Sequence, residues 1–181
     1  MPTSDFVIRA ARNEDLALLG PLELRAAIRF EQSLHPQCVN LPHFDVSRLA
    51  ELARGGSVWV AVTPADVPVG FVIAEQLAGE AYVHELDVEP DYGGRGLGHR
   101  LLRRVAEWAQ RDGLPSLLLA TFADVPYNAP FYARLGFVVV PLNAYSVAMR
   151  RQREQDAAAG MPEASRVMMR APVEELLARP E

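Results

Sequence analysis

The 181-residue chain contains no lysine, and all 18 of its cationic side chains are arginine. This absence excludes Schiff-base chemistry on a lysine and the lysine of a mononucleotide P-loop. The chain has one cysteine, Cys38, so it can form neither an internal disulfide nor a cysteine-based zinc cluster. The net charge of −5 argues against a general nucleic-acid binder, because such proteins present a basic face to phosphates.

Long apolar runs are also missing. No run approaches the roughly 20 residues that cross a bilayer, and the first five residues show no basic and apolar leader pattern. We therefore expect a cytoplasmic protein without a membrane partner. Half of the residues are hydrophobic, which is enough for one core. We predict a single domain over residues 1–171 and a frayed tail over 172–181.

Strand-like and helix-like patterns alternate along the chain. The runs at 57–63, 69–77 and 81–88 predict a three-stranded antiparallel meander. The elements predicted after it are a helix at 96–111, a strand at 116–121, a helix at 129–135 and a strand at 137–140. This alternation is typical of parallel strands joined by crossovers.

The flanking segments complete the predicted architecture. A strand at 6–10 leads into a helical region that begins near Asn13, and Gly20-Pro21 predicts that it is either two pieces or one kinked helix. A helix at 145–159 and a strand at 166–170 follow the central block. The fold class is therefore α/β (α+β), with one mixed sheet and helices on both faces.

A glycine-rich loop joins the third meander strand to the next helix. Four of its six residues are glycine, at Gly93, Gly94, Gly96 and Gly98. The first amides of a helix have no intrahelical acceptor, and glycines let an anion approach the backbone. The pattern predicts a pyrophosphate site. A dinucleotide G-x-G-x-x-G loop fits less well, because His99 stands where the third glycine belongs.

The loop resembles the coenzyme A loop of GNAT-type N-acetyltransferases, Arg/Gln-x-x-Gly-x-Gly/Ala. Gly96 and Gly98 match its glycines, whereas Gly93 replaces the usual arginine or glutamine. Residues 85–90 resemble the family's central strand, and residues 128–137 resemble its Asn-x-x-x-Tyr-x-x-x-Gly-Phe signature. The resemblance implies a mixed, largely antiparallel sheet of six to seven strands whose central strands splay apart.

The resemblance also implies acetyl-CoA as the cosubstrate and no metal. The backbone near Leu86, Asp87 and Val88 would hold the pantetheine arm, with a polar contact from Asn128. The residues implied to hold the pyrophosphate are Gly93, Gly94, Arg95, Gly96, Leu97, Gly98 and His99.

The resemblance places a catalytic acid at Tyr132, which also contacts the cosubstrate. A phenol suits this role because its ordinary pKa of about 10 keeps it protonated at neutral pH. We predict Glu85 as the base and His84 as the alternative, and a chain of waters stays open as a third. Strand alternation should send His84 and Glu85 to opposite faces, so that only one of them reaches the amine.

The predicted function is direct transfer of an acetyl group from acetyl-CoA to a primary amine, with a small molecule as the acceptor. Two alternatives stay open: a non-catalytic acyl-CoA sensor and a protein N-acetyltransferase. Because the last strand and helix of such folds often pair between subunits, a homodimer is also consistent with the resemblance.

Overall fold

The computed structural model describes residues 5–41 and 44–180. Their strands form one seven-stranded sheet in the order β1-β2-β3-β4-β5-β7-β6. The strands are β1 (Val7–Ala10), β2 (Val58–Val62), β3 (Pro68–Leu77), β4 (Glu80–Val88), β5 (Ser116–Phe122), β6 (Val138–Val139) and β7 (Arg166–Pro172). The helices are α1 (Asn13–Ala27), α2 (Val46–Arg54), α3 (Leu97–Arg111), α4 (Ala129–Arg134), α5 (Val147–Ala158) and α6 (Val173–Ala178). None of these helices is long and apolar enough to span a membrane.

The strand pairing confirms the predicted mixed sheet and corrects one connection. β2, β3 and β4 form the expected antiparallel meander, and β4 pairs with β5 in parallel across α3. β6, however, does not lie beside β5. The carboxyl-terminal strand β7 lies between them and pairs antiparallel with both. The crossover pattern therefore predicted the direction of β6 and not its neighbour.

Helices cover both faces of the sheet, as predicted. On one face, α3 packs on β2, β3, β4 and β5, and α6 packs on α3 and β7, through buried residues such as Leu101, Val105 and Leu176. On the other face, α1 and α2 cover β2 and β3 through Leu19 and Leu49. α5 covers the same face further along, through Met149.

A β-bulge interrupts β4 at His84. In the register with β3, Ala74 lies opposite Val83 and Ile73 lies opposite Glu85, so His84 is an extra residue. Bulges bend a strand and increase its twist. The pairing of β4 with β5 ends at Val83, immediately before the bulge. The two central strands therefore separate from His84 onward, which confirms the predicted splay.

Two helical predictions need correction. Pro21 lies inside α1 without ending it, and the irregular stretch comes later, as a 3-10 helix at Ile28–Gln32. The segment after 171 does not fray over its described part, because Val173–Ala178 forms α6. Val173 and Leu176 are buried against α3, and Arg103 donates to the carbonyl oxygens of Leu177 and Arg179. These contacts were not visible in the polar composition of the tail.

Candidate active site

A cavity of about 740 Å³ opens where β4 and β5 separate. It is lined by α1, the 3-10 segments after α1, β4, the glycine loop, β5, α4, α5 and the start of β7. The predicted site residues that line it are His84, Glu85, Leu86, Asp87, Val88, Gly93, Gly94, Gly96, Leu97, Gly98, His99, Asn128 and Tyr132. The folded chain thus brings nearly all of them to one place.

Arg95 is the exception. It does not line the cavity, and its guanidinium carbon lies 5.8 Å from the ring centre of Phe6 and 5.7 Å from that of Tyr92. Arg100, which also follows the loop, donates to the Phe6 carbonyl oxygen over 2.9 Å. The contact of Arg95 with the cosubstrate stays a prediction, since in this structure its side chain packs against the rings of Phe6 and Tyr92. One aromatic neighbour, Phe6, immediately precedes β1 and is remote in the sequence, whereas Tyr92 ends the 3-10 turn at Pro90–Tyr92, three residues before Arg95.

The glycine loop has the backbone geometry expected of an anion site. Gly94 and Gly96 have φ angles of +71° and +74°, a region that side chains disfavour. The first helical bond of α3 is donated by the Arg100 amide to the Gly96 carbonyl oxygen, 3.1 Å away. The amides of Leu97 and Gly98 precede that bond and lie at the positive end of the helix dipole.

Asn128 and Tyr132 lie across the cavity on α4. The Asn128 carbonyl oxygen accepts from the amides of Phe131 and Tyr132, at 2.8 and 3.1 Å. Among the described residues, the Tyr132 hydroxyl has no hydrogen-bond partner, and its ring packs edge-on against Phe131 and Phe137. Burial raises the pKa of Tyr132, and the charges of Glu85 and Asp87 raise it further. The phenol therefore keeps its proton at neutral pH.

Three carboxylates line the cavity opposite Tyr132. Glu85 and Asp87 lie on β4, and Glu23 reaches the cavity from α1. Burial raises the pKa of Glu85 well above its ordinary value, and the charges of Asp87 and Glu23 add to this effect. Burial and Glu23 raise the pKa of Asp87 to about 7. The Glu85–Asp87 pair can therefore gain or lose a proton near neutral pH.

The bulge overturns the expectation that His84 and Glu85 face opposite sides of the sheet. His84 Nε2 lies 3.0 Å from Glu75 Oε2, and Glu75 projects on the same face as Ile73, the partner of Glu85. Both candidate bases therefore point to one side. Burial lowers the pKa of His84, although its hydrogen bond to Glu75 opposes this. That bond occupies one ring nitrogen of His84.

The remaining walls were largely missed by the sequence analysis. Gln152, Gln155 and Asp156 of α5 and Arg166 of β7 line the cavity beside Glu85. No motif distinguishes them, because nothing in the local sequence says that α5 folds back over the splay. Phe30 and Phe122 also line the cavity, with ring centres 5.4 Å apart.

Hydrogen bonds and a ring contact join the loop after β5 to the segment after α1. His35 is buried, stacks on Phe122 with ring centres 4.5 Å apart, and lies 2.8 Å from an Asp124 carboxylate oxygen. Tyr127 donates to the Arg29 carbonyl oxygen over 2.9 Å. Together these contacts form one wall of the cavity. Within the described ranges, no cluster of three or more His, Cys, Asp or Glu side chains could hold a metal ion.

Comparisons with known proteins agree with this geometry. A family model described as the acetyltransferase (GNAT) family matches residues 24–137. The match covers more than half of the chain, so the protein belongs to the acetyltransferase (GNAT) family. This confirms the family that the glycine loop and the Asn128–Phe137 signature indicated.

Relatives of known name are N-acetyltransferases. The [ribosomal protein bS18]-alanine N-acetyltransferase of Salmonella typhimurium is 27% identical over 146 residues, which cover 78% of this chain and 92% of the relative. Two others are each 34% identical: an uncharacterized N-acetyltransferase of Methanocaldococcus jannaschii over 77 residues and a peptidyl-lysine N-acetyltransferase of Salmonella typhimurium over 82. These matches cover 39% and 45% of this chain but only 34% and 50% of the relatives, less than two thirds of their length.

Solved structures share the fold. A GNAT-family acetyltransferase of Staphylococcus aureus superimposes with a TM-score of 0.69 at 12% identity, over 93% of this chain and 99% of the other. The PaiA N-acetyltransferase of Thermoplasma acidophilum, solved with coenzyme A, gives 0.66 at 15% identity, over 92% and 98%. At this identity the likeness establishes the fold, and it confirms the predicted sheet.

Proposed function

We propose that the protein transfers the acetyl group of acetyl-CoA directly to the primary amine of a small molecule. The observation that carries the proposal is the meeting of three groups around one cavity: the glycine-loop amides, the Tyr132 hydroxyl and the Glu85–Asp87 carboxylates. The family assignment supports N-acetyl transfer, and neighbours solved with coenzyme A support the acyl donor.

The glycine loop and the splayed strand suit the two halves of the donor. The free amides at the start of α3 would bind the pyrophosphate. The β4 backbone at Leu86, Asp87 and Val88 has lost its β5 partner, so its polar groups can pair with the pantetheine arm. Gly98 lets α3 and α4 pack closely beside the loop, because a Cβ there would lie 3.2 Å from the Phe131 ring.

The carboxylates and the phenol supply the two proton transfers. An amine attacks a thioester only when it is neutral, and burial raises the pKa of Glu85 well above its ordinary value, which makes it a stronger base for the amine proton. Tyr132 then donates to the departing thiolate. The negative charges of Glu85 and Asp87 raise the pKa of Tyr132. Proton uptake by Glu85 removes part of that charge and makes Tyr132 a stronger acid when the thiolate leaves.

The helix α5 favours a small acceptor over a protein. The connection from β6 to β7 spans residues 140–165 and carries α5, whose Gln152, Gln155 and Asp156 line the cavity. Two relatives bear names that indicate protein amines as acceptors. A protein acceptor would need an open approach to Glu85, which this wall narrows. Peptides therefore belong in the test.

The test is turnover of a panel of amines with acetyl-CoA, followed by thiol release and by the mass of the product. The panel contains amino acids, polyamines, amino sugars and peptides with free amino termini. We expect acetylation of at least one small amine and slower reaction of the peptides. Binding of acetyl-CoA without turnover of any amine would instead support the acyl-CoA sensor.

Substitution of Tyr132 by phenylalanine tests the acid. Tyr132→Phe should lower kcat by about 100-fold or more, the usual size of a general-acid contribution, with little change in acetyl-CoA affinity. Tyr145→Phe is the matched control, because Tyr145 is buried away from the cavity and accepts from the Met168 amide over 3.1 Å. It should cost about 1 kcal/mol of unfolding free energy and leave kcat unchanged. Equal kcat for the two variants would exclude Tyr132 as the acid.

A further inference from the structure

Two arginines meet one carboxylate at the wall formed by α5 and β7, where Arg166 and Asp156 line the cavity and Arg153 is not among the lining residues. Arg166 and Arg153 both pair with Asp156, at 3.3 and 4.0 Å. The other oxygen of Asp156 accepts from Gln152 over 2.9 Å. Two guanidinium groups therefore share one carboxylate, which leaves a net charge of about +1.

Arg166 faces the cavity with unused hydrogen-bonding capacity. It lines the cavity, and its side chain is 9% exposed. One terminal nitrogen donates to Asp156 and the Ala120 carbonyl oxygen, whereas the other contacts only the Met161 sulfur at 3.6 Å, a weak acceptor. Its buried Nε has no acceptor among the described residues. Buried guanidinium groups with unmet donors favour a carboxylate partner.

The wall that carries Arg166 lies within reach of the reaction centre. Arg166 stands opposite Phe122 in the sheet, three residues beyond Leu119, the last β5 residue paired with β4. At about 3.3 Å per residue this separation is about 10 Å along the strand. The Arg166 side chain can reach across part of this separation. Its charge lowers the pKa of Glu85 and of Tyr132. The cavity is thus negative beside Tyr132 and positive at its far wall.

We propose that the acceptor is an aminocarboxylate, which places its carboxylate on Arg166 and its amino group beside Glu85. The inference rests on the proposed function and narrows its acceptor to amines that carry their own carboxylate. A net charge of about +1 matches one carboxylate, whereas a dianionic group would leave Asp156 beside excess negative charge. Phe30 and Phe122 provide an apolar wall for the rest of the molecule.

The test compares free amino acids with the corresponding amino acid amides, which differ only in the carboxylate. The panel includes α-amino acids and ω-amino acids of increasing length, because the amine-to-carboxylate distance selects among them. The wild-type protein should prefer the best free acid over its amide by about 10- to 100-fold in kcat/KM. Arg166→Gln should abolish this preference, mainly through KM for the acid, so that the acid and its amide react with similar kcat/KM.

Arg170→Gln is the matched control. Arg170 lies four residues further along β7, on the same face, and pairs with Glu80 at 2.6 Å outside the cavity. It should keep the wild-type preference. Binding without turnover is measured at Cys38, the sole cysteine, which lines the same cavity. Free acids should slow its alkylation in wild type and not in Arg166→Gln.

The outcomes separate this inference from the proposed function. If amides or amines without a carboxylate react best in wild type, the acceptor inference is wrong while N-acetyl transfer stands. Equal losses for acid and amide in Arg166→Gln would also overturn it, because they indicate a structural role only. If no amine of any kind releases CoA, the proposed function fails first. The wild-type comparison needs no variant, so a folding defect in Arg166→Gln cannot hide the answer.

Discussion

At the scale of single residues, the site concentrates carboxyl groups that burial disfavours. Asp87 has a pKa of about 7, against an ordinary value of 3.8. Between those values the folded state holds a proton that the unfolded state has lost, so stability falls as the pH rises from about 4 through about 7. The protein therefore gives up stability at neutral pH to keep an ionised pair in the cavity.

Asp87→Asn removes that pH-dependent cost. We expect its gain in melting temperature over wild type to be larger at pH 8 than at pH 4.5, since the wild-type protein loses the Asp87 contribution over that range and the variant does not. Activity at pH 8 should fall, because the partner that raises the pKa of Glu85 is lost. Thermal unfolding at the two pH values measures the first effect. A gain that is equal at both would show that the pKa of Asp87 is not raised.

The residues of the site could be predicted where a sequence motif marks them. They could not be predicted where only the fold brings them to the site. Tyr132 and Asn128 could be named because their spacing to Gly136 matched a family signature. Arg166 could not, because its importance comes from α5 and β5, which are remote in the sequence. The contact of Arg95 with Phe6 was hidden for a related reason, since the two residues are 89 positions apart.

At the scale of elements, the glycine loop offers a matched pair of positions. Gly94 and Gly113 both have φ of +71°, and an added Cβ meets nothing within 4 Å at either. Alanine at each should cost about 1–2 kcal/mol of unfolding free energy. Only Gly94 lines the cavity, so only Gly94→Ala should weaken acetyl-CoA binding, by about tenfold or more in Kd. Calorimetry on both variants measures this, and equal affinities would place the phosphates elsewhere.

Most elements could be predicted from periodicity, whereas their placement could not. The three meander strands were correct because short turns leave sequential strands few partners. The position of β7 between β5 and β6 depends on a connection that carries α5 across the sheet face, and no local pattern encodes it. The bulge at His84 was equally hidden, because the strand reads as one uninterrupted run.

At the scale of the whole molecule, the carboxyl-terminal helix α6 is part of the main core. Leu176 is 2% exposed and belongs to the cluster around α3. Leu176→Ala should lower the unfolding free energy by about 2–5 kcal/mol, the usual cost of such a cavity. Glu175→Ala, an exposed neighbour on the same helix, should change it by less than about 0.5 kcal/mol. Similar values for the two would mean that the tail is detached in solution.

The bulge in β4 leaves the alternation of the other side chains between the two faces of the sheet unchanged. Val83 and Glu85 pair with adjacent residues of β3, and His84 is the extra residue between them. Deletion of His84 would therefore leave Val83 paired with Ala74 and Glu85 paired with Ile73. Glu85 and Asp87 would keep their face, and only the bend would be lost. We expect such a protein to fold with its carboxylates in place, and to bind acetyl-CoA at least tenfold more weakly by calorimetry because β4 could pair with β5 beyond Val83. A strand can thus gain one residue to make room between two neighbours and leave the inward and outward order of every other side chain unchanged.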